Sequence, residues 1–330
     1  MRVLVTGGAG YIGSHTVALL RAAGEPVWVY DNLSRGHVEA VPEEILIRGD
    51  LADGDRLKQV LAEKRIDAVI HFAALSQVGE SVEDPARYYS NNVVGTLSLL
   101  EAMRAADVGR IVFSSTCAIY GEPGRVPIAE DIPKEPVNPY GFTKLAIEKA
   151  LEHYAAAYGF GYAALRYFNA CGADREGRLG EDHDPETHAI PLALEVASGK
   201  RECFRIFGED YPTEDGTCVR DYVHVEDLGD AHLRALERIE AGQGLCLNLG
   251  TGRGFSVREV IESCRRVSGR EIRVKSAPRR PGDPPVLVAA GDRARSALDW
   301  TPRYTDLDAM VETAWRWHSS HPNGYGSADS

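Results

Sequence analysis

The chain has 330 residues, about twice the ~150 used as a prior for one domain, with 44% apolar and 26% charged residues, which excludes a disordered or collagen-like polypeptide. Its 49 acidic against 37 basic side chains give a formal charge of −12. A surface that acidic repels nucleic acid and anionic lipid, so an anionic ligand must be held by a local cluster of donors.

In chain order, residues 2–6, 26–31, 44–48, 67–73 and 110–115 are short β-rich runs, and most are separated by stretches with helical apolar spacing. That alternation predicts an α/β fold, a doubly wound parallel sheet with helices on both faces. Leu97, Leu99, Leu100 and Met103 belong to a long helix after Asp84-Pro85, and Leu145, Ile147, Leu151 and Tyr154 to another after Asn138-Pro139. From about Asn169 loops rich in Gly, Asp, Glu and Pro take over, with β-like runs at 219–225 and 245–249. The expected division is a nucleotide-binding domain in 1–168 and a smaller α/β substrate lobe in 169–330, the chain returning to the first domain around 219–250. The tail beyond Ser319 reads as surface or frayed. Six scattered cysteines without a C-x-x-C pair argue against a zinc site and a disulfide framework, so no metal is expected and the thiols read as free. No apolar run reaches ~18 residues and no cleavable leader precedes the first strand, so the expectation is a cytoplasmic protein without a membrane segment.

The first strand runs into Gly7-Gly8-Ala9-Gly10-Tyr11-Ile12-Gly13, which satisfies G-x-G-x-x-G from Gly8 and places glycines where a strand turns into a helix. Such a turn lets backbone N–H groups approach a pyrophosphate at the positive helix end. Asp31 ends the second strand 18 residues after Gly13, where an acid accepts hydrogen bonds from an adenosine ribose. NAD is therefore the expected cofactor: a 2′-phosphate would be repelled by Asp31, although Arg35 nearby could partly offset that. Asp50 after the third strand reads as a helix N-cap or an adenine contact.

Tyr140-Gly141-Phe142-Thr143-Lys144 is a Y-x-x-x-K, which puts both side chains on one helix face. A phenol is a poor base at neutral pH, and an adjacent ammonium together with a cationic nicotinamide would favour its phenolate. The motif follows Ser114, Ser115 and Thr116 at a strand end, and Thr116 could share the proton through its hydroxyl.

With these pieces the sequence resembles the extended short-chain dehydrogenase/reductase superfamily and, within it, the UDP-glucose 4-epimerases, over nearly its whole length. The resemblance rests on 6–15, Asp31-Asn32-Leu33, His71-Phe72-Ala73-Ala74, 138–144, 165–169, 207–217, 219–225 and 279–283. It implies a Rossmann-type fold and a homodimer built on the two long helices. It also implies inversion at carbon 4 of a UDP-hexose through a transient 4-keto sugar. Thr116, Tyr140 and Lys144 take the catalytic positions. The cofactor positions fall on Gly7, Gly10, Tyr11, Ile12, Gly13, Asp31, Asn32, Asp50, Leu51, Phe72, Ala73, Ala74, Asn91, Ser114, Tyr140, Lys144 and Tyr167. Those of the UDP-sugar fall on Ser76, Thr116, Asn169, His188, Ala189, Phe207, Arg220, Tyr222, Arg280, Asp283 and Leu287. Relatives that eliminate water carry an Asp-Glu pair directly after the catalytic Thr, where this chain has Cys117 and Ala118, so epimerisation is expected rather than dehydration. Ser76 and His188 replace the family's commoner Lys and Asn. UDP-glucose is taken as the substrate, with UDP-glucuronate and UDP-N-acetylglucosamine as alternatives.

Overall fold

The computed structural model describes residues 1–280 and 282–326. Thirteen strands are present among the described residues: β1 Val3–Thr6, β2 Val27–Asp31, β3 Leu46–Arg48, β4 Ala68–His71, β5 Arg110–Thr116, β6 Gly161–Tyr167, β7 Asn169–Cys171, β8 Phe204–Phe207, β9 Val219–His224, β10 Gly244–Leu249, β11 Gly254–Ser256, β12 Val274–Ala277 and β13 Val286–Leu287. The helices are α1 Tyr11–Ala22, α2 Gly54–Glu63, α3 Val78–Glu83, α4 Pro85–Tyr88, α5 Gly95–Ala105, α6 Pro139–Tyr158, α7 Ala189–Ala197, α8 Val225–Arg238, α9 Val257–Ser268, α10 Asp292–Leu298 and α11 Leu307–Ser320.

Seven strands form one parallel sheet in the order β10-β6-β5-β4-β1-β2-β3. Successive residues of its strands point to opposite faces, and both faces are apolar. Val3, Val5, Ile70, Val112 and Leu165 enter one core with residues of α1, α8 and α10. Leu4, Val69, Ile111, Phe113 and Ala164 enter another with α2, α5 and α6. Burial on both sides is why these strands read as continuous hydrophobic runs. Strand order reverses between β1 and β4, which opens a crevice at their carboxyl ends. A third core, with Ile190, Leu194, Phe204, Tyr222 and Met310, gathers α7, α9 and α11 around the four-strand group β11-β9-β13 with β7 and the pair β12-β8. β10 comes from beyond residue 219 yet completes the first sheet beside β6.

The long helix after Pro85 runs on to Ala105 but widens in its middle: α4 leads into a π turn at Tyr89–Val94 that continues into α5. There the buried Asn92 side chain accepts from Leu75 N at 2.9 Å and donates to Leu75 O at 3.0 Å. Two expectations change. Asp53, not Asp50, caps α2, accepting from Arg56 N. The tail is tied down rather than frayed: His321 stacks on Trp317 at 3.7 Å and the Tyr325 hydroxyl donates to the Gly180 carbonyl. Residues 327–330 lie outside the described residues.

Candidate active site

The glycine turn sits at the mouth of the crevice. Gly7 adopts φ +71°, and a Cβ there would lie 2.4 Å from Ala73 N, so β1 and the segment after β4 touch backbone to backbone. A Cβ on Gly13 would stand 2.3 Å from the Gly7 carbonyl oxygen. α1 has Gly10 at its N-cap, with neither a side-chain cap nor an acid in its first turn. Its first N–H groups are thus left for an anion. The buried Asp31 accepts from Ala9 N at 3.0 Å and Leu33 N at 2.8 Å, which aims its carboxylate along the rim of the turn. This donor set and its acid fit NAD.

Other cofactor candidates gather around this mouth. Asn32 donates to Asp50 at 2.8 Å, and Asp50 also accepts from Ala52 N. The Tyr11 hydroxyl donates to Gly172 O at 2.6 Å, and Ile12 lies partly buried beside it. Phe72 packs on His232 at 4.6 Å, followed by half-buried Ala73 and Ala74. Leu51 is buried in the core against Gly95, and Asn91 donates to Asn92 Oδ1 in the π turn. Arg35 is committed to Glu80 at 3.0 Å and to Asp184 O, away from any role as a 2′-phosphate partner in this arrangement.

The catalytic candidates gather where β5 ends. α6 begins there because Asn138 accepts from Gly141 N at 2.8 Å and Pro139 occupies the first turn, and it stops at Gly159 with φ +74°. This start brings Tyr140 beside Thr116 and sends Lys144 inward, 2% exposed, donating from Nζ to Ser114 O at 2.8 Å. The Ser114 hydroxyl meets the Tyr167 hydroxyl, and Thr116 Oγ1 accepts from Ala118 N at 3.2 Å.

Burial pushes the Tyr140 phenol up to about 12, against a smaller downward pull from the neighbouring Thr116 hydroxyl. Burial also lowers Lys144 to about 7. The expectation that Lys144 depresses the phenol is therefore not met by the chain alone. Its ammonium is 5.9 Å from the Tyr140 ring centroid, aimed at a carbonyl, and only partly charged near neutrality. Burial likewise pushes the Cys117 thiol up to about 12, so it is no base at neutral pH.

The nucleotide-sugar candidates lie across the crevice on the second lobe. Arg220, on β9, is ion-paired with Asp283 and donates to Val219 O at 2.8 Å. Leu287 on β13 is its register partner. Arg280 lies over the Phe207 ring at 4.0 Å, a flat cationic platform. Asn169 on β7 pairs in register with buried Tyr222 on β9. Ser76 is exposed beyond β4. His188 stands at the N-cap position of α7, just before Ala189, without capping it, and its Nδ1 faces Glu181 at 2.8 Å and Glu186 at 2.9 Å. Any contact between His188 and a sugar thus falls to Nε2.

Sequence reasoning missed two clusters. Beneath the site, Glu148 holds Arg166 through two hydrogen bonds of 2.6 and 2.9 Å and accepts from Ser115 at 2.6 Å. Arg166 also donates to the Tyr120 hydroxyl, which donates to Asn248. The only sequence hint was Glu148 one turn after Lys144 on the same face of α6. The second cluster joins Glu181, His183, Glu186 and His188, whose regular spacing was the legible signal.

Residues 3–250 match the model of the NAD dependent epimerase/dehydratase family, and the chain belongs to that family. Over 328 residues it is 55% identical to the UDP-glucose 4-epimerase of Halalkalibacterium halodurans, covering 99% of this chain and 98% of that protein. The solved structure of UDP-glucose 4-epimerase from Brucella ovis in complex with NAD superposes with a TM-score of 0.92 at 51% identity, over 95% of this chain and 97% of the other. That from Bifidobacterium longum, in complex with NAD+ and UDP, gives 0.93 at 39% identity, over 98% and 100%.

Proposed function

We propose that the chain is an NAD-dependent epimerase that inverts carbon 4 of a UDP-hexose and interconverts UDP-glucose and UDP-galactose. The observation that carries this reading is the meeting of Tyr140, Thr116 and Lys144 at the end of β5, on the crevice that the glycine turn borders. The near-complete overlap with UDP-glucose 4-epimerases supports it.

Gly7, Gly10, Gly13 and Asp31 would hold NAD, with Tyr11, Ile12, Asn32, Asp50, Phe72, Ala73 and Ala74 along its length. Removal and return of the hydrogen at sugar carbon 4 is the chemistry that bound NAD supplies. Tyr140 takes the 4-hydroxyl proton and gives it back, with Thr116 steadying the phenolic oxygen. Lys144 near pKa 7 exchanges a proton cheaply at working pH and, when charged, stabilises the phenolate. A 4-keto sugar must turn over between the two half-reactions, so the enzyme has to grip UDP and leave the hexose loose. Arg220, Arg280, Asp283, Asn169 and Phe207 provide that grip, the arginines through charge-assisted hydrogen bonds to pyrophosphate.

At carbon 6, His188 has its Nδ1 committed to two carboxylates, so it brings no uncommitted cation for a substrate carboxylate. A neutral hydroxymethyl group fits better, which favours UDP-glucose over UDP-glucuronate. Incubating the purified protein separately with UDP-glucose, UDP-glucuronate and UDP-N-acetylglucosamine and resolving the epimers by chromatography tests this. Turnover of the acid and not of UDP-glucose overturns the substrate assignment.

The reading includes a nucleotide domain at 1–168, joined by α8 and β10 of the expected returning segment and by α10, and a UDP-sugar lobe that keeps β9 in the remainder. It also includes a homodimer. Val82, Tyr89, Val94, Phe142 and Tyr158 are exposed on α3, the π turn and α6, with Tyr89 and Phe142 rings 6.4 Å apart. Exposed apolar positions of this kind call for a partner. A sedimentation mass near 36.0 kDa at micromolar protein removes the dimer. Six free cysteines support a cytoplasmic location. No described helix is long and apolar enough to cross a membrane.

A further inference from the structure

The loop before α7 carries Glu181, His183, Glu186 and His188, and one ligand atom from each lies within 4.8 Å of the others, the one group of that kind among the described residues. Both imidazoles present Nδ1 to the carboxylates. His188 Nδ1 is 2.8 Å from Glu181 and 2.9 Å from Glu186, and His183 Nδ1 is 3.2 Å from Glu181 and 3.6 Å from Glu186. Four ligands at about 2.0–2.1 Å around a tetrahedral ion stand about 3.3–3.4 Å apart, which falls inside the 2.8–3.6 Å spanned by these four imidazole–carboxylate pairs.

A second, independent observation is the unsatisfied chemistry at the centre. Glu181 is 5% exposed, and its Oε1, like His183 Nδ1, is shut off from solvent without a well-formed hydrogen bond. The single Nδ1 proton of His188 cannot serve Glu181 and Glu186 together. Glu181 Oε1 thus faces two imidazole nitrogens within 3.2 Å yet has a well-formed hydrogen bond to neither, and a divalent cation would answer both carboxylates at once. Glu186 Oε1 is fixed by the N–H groups of Thr187 at 2.6 Å and His188 at 2.7 Å, the outer support that ligating carboxylates use.

We propose that these four side chains form a binding site for one divalent transition-metal cation, with Zn2+ the best match to two imidazoles and two carboxylates in tetrahedral spacing. The site is structural. Gln77 donates to Pro185 O at 3.0 Å, Arg35 donates to Asp184 O, and the Tyr11 ring stands edge-on to His183 at 6.0 Å. The cation therefore clasps a loop of the second lobe onto the residues that flank the glycine turn. The C-x-x-C pattern that sequence reading used to look for zinc is blind to such a site.

The test uses full-length protein with any affinity tag removed. Elemental analysis by mass spectrometry should find about one equivalent of transition metal per chain. Chelation should lower the melting temperature, and Zn2+ should restore it in a saturable titration. Glu181→Gln and His183→Asn should each weaken Zn2+ at least ~10-fold, and their combination should abolish the thermal response to chelator. Because a variant can fail to fold, the stripped wild-type protein loaded with Co2+ provides a second measurement. It should give the intense visible absorption of a four-coordinate site. Less than about 0.1 equivalent of metal with no saturable Zn2+ binding, variants that bind like the wild type, or the weak bands of six-coordinate Co2+ each overturn the proposal. None of these readouts depends on which UDP-sugar is turned over.

Discussion

Two successive turns of α6 bury charge in opposite ways. Lys144 and Glu148 sit four residues apart on one face, 2% and 4% exposed. Glu148 is answered in full by Arg166 and Ser115, and Arg166 is held charged, its pKa raised by that partner against burial. Lys144 has no carboxylate partner, only the Ser114 carbonyl, and burial brings it down to about 7. The paired turn is inert scaffold; the unpaired turn holds a group able to change protonation at working pH. Useful titration is created here by withholding a counter-charge rather than by supplying one.

The largest effect should come from breaking the paired turn. Glu148→Ala strands the Arg166 guanidinium and should cost about 3–5 kcal/mol of stability by denaturant unfolding, whereas Glu148→Met with Arg166→Met should recover a large part of it. A single variant as stable as wild type would mean the pair contributes nothing. Next comes the unpaired turn: Tyr140→Phe should keep the fold by circular dichroism and retain NAD, but lose at least ~100-fold in turnover. Near-native turnover sinks Tyr140 as the proton acceptor.

Lys144 sharpens the contrast through pH. Its folded pKa of about 7 lies below the ~10.4 of an unfolded lysine, so between them the unfolded chain holds a proton that the folded chain has released. The contribution of Lys144 to stability therefore rises with pH above about 7, against the opposite contribution of His183 and His188, whose facing carboxylates keep them protonated in the folded chain past the unfolded imidazole value. Lys144→Met should remove that contribution, so the urea midpoint of the variant relative to wild type should fall as pH rises above about 7; an unchanged difference removes the assignment. Lys144→Ala should also move the activity profile to higher pH, as the phenolate loses its cationic neighbour. The smallest effect is at the helix start, where Asn138→Ala removes the cap on Gly141 N and should cost about 1 kcal/mol in thermal unfolding. A loss in Tyr140-dependent turnover beyond that of stability would show that the cap also aims the phenol.

The sequence by itself determined the parts whose chemistry is local. A strand, a glycine turn and an acid at the next strand end are consecutive in the chain, and so are Asn138-Pro139, Tyr140 and Lys144, so hydrophobic periodicity and capping made them legible. The central sheet was equally readable, because burial on both faces leaves continuous apolar runs such as Val3–Val5 and Ile111–Phe113. Only the tertiary structure decided what those side chains face. Glu148 finds Arg166 from another strand, Arg220 finds Asp283 across sixty-three residues, and the Glu181–His188 loop folds its four polar side chains onto one point. Lys144 reads in sequence as a cation and in the fold as a group half-discharged near neutral pH, because burial is a property of the assembled core. Periodicity records which residues leave water, but the partner that compensates a buried charge comes from a distant segment, and no local pattern carries that information.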